Sequence, residues 1–307
     1  MNALLAADAV VELLWTGSVW GEGPVWLPAT SALRWSDIPN NRILQFDAAS
    51  GAVSVYRDGA EYTNGRTLDL RGDVVQCSHG RRAVERDVDG RVETIVGGFA
   101  LGRFNSPNDV VVARDGAIWF TDPPYGIQEN GHEGHPGTQD YDGCWVFRYD
   151  PVSRVAEPVI TDLVHPNGLA FSPDEGTLYV SDTASSTDDA ANAAGAPDQG
   201  AAGSVPRSIR CYDTTTLAGR DFAAPTGLAD GLRVDTAGNV WTSSHRGVEV
   251  FSPAGDQLLY IEVPERVSNL CFGGDDGTDL YITASTSLYR IGTTARDAAR
   301  RVLQTGP

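Results

Sequence analysis

The chain contains no lysine. All 23 of its basic residues are arginine, set against 41 aspartates and glutamates, for a formal charge of -18 over 307 residues. Without a lysine ε-amine, Schiff-base and pyridoxal-phosphate chemistry has no nucleophile to begin from. The negative balance repels a phosphate backbone, which argues against nucleic acid as a partner. The four cysteines, Cys77, Cys144, Cys211 and Cys271, stand far apart with no CxxC pair. That spacing fits buried free thiols better than a disulfide or zinc framework. No GxSxG occurs, so a nucleophile-elbow serine is not indicated. No apolar run approaches the roughly 20 residues that cross a bilayer. The opening MNALLAADAVVELLW has neither a basic n-region nor a cleavage site. The expectation is a cytoplasmic protein without a membrane partner, monomeric or weakly self-associating.

What is present is repetition. Six units begin GEGPVW (Gly21), TNGRTLDL (Thr63), SPNDVVVA (Ser106), HPNGLAFS (His165), LADGLRVD (Leu228) and VSNLCFGG (Val267). Each continues through a polar or glycine-containing turn into a second apolar strand, such as SALRWSD, AIWFTDPP and TLYVSD, and then into a third, such as ILQFD and CWVFRYD. Periods of roughly 40 residues signal propellers and solenoids. Short β-rich runs with almost no helical period argue for an all-β chain, and four strands in each of six units make a six-bladed β-propeller. A solenoid is the alternative, but it would want capping repeats. VVELLWTG precedes the first unit and is placed to supply the outer strand of the last blade, closing the ring. Residues 1–307 are therefore read as one propeller domain.

Two segments exceed the repeat, residues 128–143 and 185–207. Both are rich in Gly, Asp, Ala or Pro without apolar period and read as loops, of the kind that shapes a site on one face.

In a propeller blade the first strand lines the central channel. The first-strand start positions here are Glu22, Asn64, Asn108, Asn167, Asp230 and Asn269, every one a carboxylate or carboxamide. The second-strand ends, Asp37, His79, Asp122, Asp182 and His245, are expected to meet them at the same mouth. Asn and Asp favour strand starts for turn reasons alone, but six in register imply a shared axis. Two carboxylates about 4 Å apart repel by about 4 kcal/mol at an effective dielectric near 20. An arginine, a proton or a metal ion must neutralise them; Arg66, Arg103 and Arg246 are the arginines near in sequence. An oxygen-only donor set of Glu22, Asp230 and the amides of Asn108 and Asn167 favours a hard divalent cation: calcium, magnesium or manganese.

GEGPVW, NSPNDVVVARDGAIWFTDPPYG, HPNGLAFSPDEGTLYVSDT, DGLRVDTAGNVW and NLCFGG together resemble the gluconolactonase, regucalcin (senescence marker protein) and luciferin-regenerating family, over about Trp15 to Ile291. The resemblance implies a six-bladed propeller that hydrolyses sugar lactones with one divalent metal, held at the positions of Glu22, Asn167 and Asp230. Calcium is the first expectation for that ion, with zinc, manganese, magnesium or iron(II) as alternatives. The resemblance also gives Asn108 contact with metal or substrate. The animal-type arginine two residues before that Asn is Ser106 here, and Tyr125 stands close to where a substrate-contacting Glu is expected. The sugar contacts are accordingly the part of the resemblance that transfers least.

The expected reaction is metal-assisted hydrolysis of a sugar lactone to the aldonic acid, with Asp230 and Asn108 catalytic and Asp230 also the candidate base. Asn108, Tyr125, Asp122 and His79 are expected to bind substrate. His132 and His135 form an HxxH in a glycine-rich loop, with no helix to align them for zinc. Two alternatives stay open: a calcium-dependent phosphotriesterase on a similar oxygen ring, and a non-catalytic propeller that merely holds an ion.

Overall fold

In the computed structural model, which describes residues 2–100, 102–183 and 208–299, the strands form six four-stranded antiparallel sheets. Five sheets take their strands in chain order. The first blade, for example, runs Gly21–Leu27, Ala32–Asp37, Arg42–Asp47 and Val53–Asp58. The sixth combines Val267–Gly273, Asp279–Ala284 and Ser287–Gly292 with Glu12–Thr16 as its outer strand. Glu12 pairs with Arg290 and Thr16 with Ser287, so the N-terminal strand closes the ring as the sequence predicts. The segment 185–207 lies outside the described residues.

The innermost strands touch one another in sequence around the ring, and Gly21–Leu27 meets Val267–Gly273 to complete it. Burial follows that order. Every residue of Gly21–Leu27 is buried, whereas the outer strand Val53–Asp58 has three exposed residues and none that is buried. The apolar core fills the gaps between neighbouring sheets. Trp241, Val248 and Val250 of the fifth blade pack with Leu270, Phe272 and Leu280 of the sixth, and Trp26 stacks on Tyr281 across the closure at 5.3 Å. All four cysteines are buried, and none is in a disulfide.

Two local devices aim side chains at the axis. The innermost pairings of the first, second, fourth and sixth blades slip register next to the predicted start residue, at Glu22/Val25, Thr63/Arg66, Pro166/Leu169 and Val267/Asn269. Such a bulge turns a side chain off the pleat. The Asn-Gly and Asp-Gly pairs supply the second device. A Cβ on Gly65 would lie 2.6 Å from the Asn108 carbonyl oxygen, and one on Gly168 would lie 2.3 Å from that of Asp230. Only glycine lets adjacent inner strands come this close, and each closes the gap with a hydrogen bond: Gly65 N–H to Asn108 O at 2.8 Å, Gly168 N–H to Asp230 O at 3.1 Å.

Candidate active site

Glu22, Asn64, Asn108, Asn167 and Asp230 line one cavity at the mouth where the innermost strands begin. Asn269, the sixth start residue, stands behind them: its Nδ2 donates to Glu22 Oε2 at 2.9 Å and its Oδ1 accepts from Leu270 N–H. The structure thus brings the predicted ring together.

Its electrostatics are those of a site short of positive charge. Burial raises the Glu22 carboxyl well above its usual range, and the neighbouring Asp230 charge raises it further. Burial likewise raises Asp230; the Arg266 guanidinium offsets part of this, while Glu133 adds to it. Glu22 Oε2 has two donors, Gly23 N–H and Asn269 Nδ2, but its Oε1 is buried with no partner. The wall amides keep oxygens to offer: Asn167 Nδ2 donates to Thr183 Oγ1, leaving Oδ1, and Asn64 Nδ2 faces His79 Nε2. An orphaned carboxylate oxygen beside a second buried carboxylate and several amide oxygens fits a hard cation. Among the described residues no three His, Cys, Asp or Glu side chains gather as a metal site. The predicted ligand set has only two carboxylates and draws its remaining donor from an amide.

The second-strand ends do something else. None of Asp37, His79, Asp122, Asp182 or His245 lines the cavity. Asp37 accepts from Val19 N–H at 2.8 Å and more weakly from Trp20 N–H at 3.4 Å. Asp122 accepts from Asn105 and Ser106 N–H groups, and Asp182 from those of Val164 and His165. Each carboxylate therefore clamps two successive N–H groups of the segment leading into its own blade, a repeated structural use of a terminal Asp. For Asp122 the predicted direct substrate contact gives way to this clamp, reinforced by the Tyr141 hydroxyl. His245 lies with Arg246 and Tyr260 at a separate depression.

His79 is fully buried behind the wall. Its Nδ1 donates to the Glu133 carbonyl at 2.9 Å, which leaves Nε2 to accept from Asn64 Nδ2 at 3.4 Å. The imidazole is a strut between ring and loop rather than a substrate contact. Burial lowers its pKa from 6.5 to about 4. A neutral buried histidine contributes stability that is present above the unfolded pKa and is lost as pH falls through the folded one, here a window of 6.5 to about 4 worth about 3 kcal/mol at most. Urea unfolding of the parent and His79→Gln across this range is expected to show the parent's advantage shrinking as pH falls. A gap that stays constant would mean that His79 is not the buried neutral strut.

Tyr125 does line the cavity. Its hydroxyl is engaged by Thr183 Oγ1 and His165 packs edge-on against it at 5.6 Å.

Arg266 and four residues of one loop reach the cavity without having been singled out by the repeat pattern. Arg266 lines it and lies over the Trp20 ring at 5.2 Å, whereas Arg66, Arg103 and Arg246 do not line it. Arg66 instead braces the first blade through Gly23 O at 2.7 Å and Ser36 Oγ at 2.6 Å. The signal for Arg266 was its place three residues before Asn269, in the segment that leads onto the axis. From the predicted loop 128–143 come Gln128, Asn130, His132 and Glu133. His135 turns away to Glu61 Oε2 at 3.2 Å, so the HxxH pair is split.

Comparison with known proteins gives consistent neighbours. Residues 20–286 match the SMP-30/Gluconolactonase/LRE-like region. A gluconolactonase of Zymomonas mobilis is 31% identical, with 95% of this chain and 84% of that protein covered. Among solved structures, a gluconolactonase from Xanthomonas campestris is 39% identical with a TM-score of 0.82, covering 95% of this chain and 91% of that one. A calcium-binding regucalcin from Agrobacterium tumefaciens, 16% identical with a TM-score of 0.71 over 94% of this chain and 95% of its own, shares the fold.

Proposed function

The chain belongs to the SMP-30/Gluconolactonase/LRE-like family, and from that premise we propose that it hydrolyses a sugar lactone to the aldonic acid at the cavity bounded by Glu22, Asn108, Asn167 and Asp230. The observation that carries the reading is the buried Glu22–Asp230 pair with an unpartnered Glu22 Oε1, set in the wall of that cavity. Glu22, Asn167 and Asp230 would hold a divalent ion, calcium being the first candidate for so oxygen-rich a set. When bound, such an ion polarises the lactone carbonyl and lowers the barrier to attack by water.

The chain's own residues bind and orient. The Asn108 side chain, on the cavity wall, offers an amide N–H to the carbonyl side of the ester and a carbonyl oxygen to a sugar hydroxyl. The buried Tyr125 ring supplies a flat apolar wall for the sugar face, held in place through Thr183. Water adds at the carbonyl carbon and the ring C–O bond breaks, so one water is consumed for each aldonic acid formed. Asp230, expected from the sequence both as metal ligand and as candidate base, keeps the first of those roles here, and the proton is taken up elsewhere in the cavity.

A pH-drop assay on glucono-, galactono- and xylonolactone, before and after chelation and with single ions added back, tests this. Acid release that stops with chelator and returns with one divalent ion is the expected result. Turnover of phosphotriesters far above that of lactones, or no lactone turnover with any ion, would overturn it.

A further inference from the structure

We propose that Glu133 is the carboxylate that takes the proton from the attacking water, an assignment that rests on the lactonase reading above.

Hydrolysis needs a basic lone pair beside the reacting water, and the cavity offers few. The wall amides have no basicity, and His79 has both nitrogens engaged behind the wall. Glu22 and Asp230 are the two ring carboxylates, and a carboxylate whose lone pairs are committed to a cation is a poorer base. Two other lining side chains carry a basic lone pair, His132 and Glu133; His132 is exposed to solvent, whereas Glu133 is partly buried. Its side chain is a quarter exposed, and among the described residues its carboxylate accepts no hydrogen bond; the nearest cationic-type atom, His79 Nδ1, is 4.0 Å from Oε2 and directs its proton to the Glu133 carbonyl.

Although it sits on a loop, Glu133 is fixed. Its own carbonyl is held by His79. The next residue, Gly134, packs so closely that a Cβ there would lie 2.0 Å from Gly126 O. His135 is tied to Glu61 Oε2 and Gly137 N–H to Ile127 O at 3.0 Å. A carboxylate carried on a backbone held in this way needs no rearrangement of its loop when substrate enters. Burial and the Glu22 charge raise the Glu133 carboxyl, while the Arg266 guanidinium, which lines the same cavity, lowers it.

The step balances. As the water oxygen bonds the carbonyl carbon, its proton passes to Glu133. As the ring C–O bond breaks, the leaving alkoxide takes that proton back, which regenerates the carboxylate and leaves the open-chain acid.

The test compares the parent, Glu133→Gln and Glu133→Ala on gluconolactone at fixed pH and fixed ion, with thermal melts of each. Expected is a kcat loss of roughly 10²–10⁴ in Glu133→Gln with KM within about threefold, and recovery of Glu133→Ala of about tenfold or more on adding formate, which can occupy the vacated space and act as the base. A Glu133→Gln kcat within about threefold of the parent overturns the assignment, as does a Glu133→Ala that formate leaves unrestored. A parent that turns over no lactone sinks the lactonase reading itself, which separates the two failures.

Discussion

Asp230→Asn lowers lactone turnover by at least about 10³-fold, while its chelator-treated form melts higher than the chelator-treated parent. The two readouts move in opposite directions for one reason. Glu22 and Asp230 are buried side by side, and each is pushed toward its protonated form by lost solvation. Without a cation this arrangement works against the fold. Replacing one carboxylate by its amide keeps the shape, removes a buried charge and relieves the repulsion on the other. Relief of even about 1 kcal/mol raises Tm by roughly 2 °C in a chain of this size. Function needs the charge that stability does not. The amide offers a neutral oxygen where a cation requires an anionic one, and a 10³-fold loss corresponds to about 4 kcal/mol of transition-state stabilisation. Gains in stability at the cost of activity are the usual signature of a strained site. A variant that keeps a third of the parent turnover would remove Asp230 from the chemistry, and one that melts lower than the stripped parent would remove the electrostatic account.

The ring was legible in the sequence because it repeats. Asn64, Asn108, Asn167 and Asp230 occupy one register relative to an apolar strand, and a propeller turns that register into a shared axis. The closing strand Glu12–Thr16 was legible for a similar reason, as a β-rich run left over before the first unit. Side-chain direction was not. Asp122 and Asp182 end their strands as close to the mouth as the repeat implies, yet their carboxylates turn to the N–H groups leading into their own blades. A hydrogen bond to the backbone some 17 residues earlier leaves no mark on spacing. Glu133 and Arg266 escaped for the opposite reason: they reach the cavity from connections between strands, and a search for what recurs passes over what occurs once. The family resemblance shared that blind spot, since it pointed to Glu22, Asn167 and Asp230 but put Tyr125 where a contact to the sugar was expected.

Gly168→Ala is expected to cost about 3 kcal/mol or more, lowering Tm by roughly 6 °C or more, and to reduce turnover with it. The added methyl would sit 2.3 Å from the Asp230 carbonyl oxygen and 2.9 Å from Gly231 Cα, both backbone atoms with no freedom to swing aside. The inner strands of the fourth and fifth blades must then separate, stretching the Gly168 N–H to Asp230 O bond of 3.1 Å. Asn167 and Asp230, which flank that bond, move with it. Gly59→Ala is the control: its φ of +62° carries a backbone cost, but no atom lies within 4 Å of the new methyl, so a loss of about 1–2 kcal/mol from conformation alone is expected. Paired urea or thermal unfolding separates contact from conformation. If Gly168→Ala costs no more than Gly59→Ala, close approach of the inner strands does not set the ring, and the Asn-Gly that opens the fourth blade has lost its physical reason.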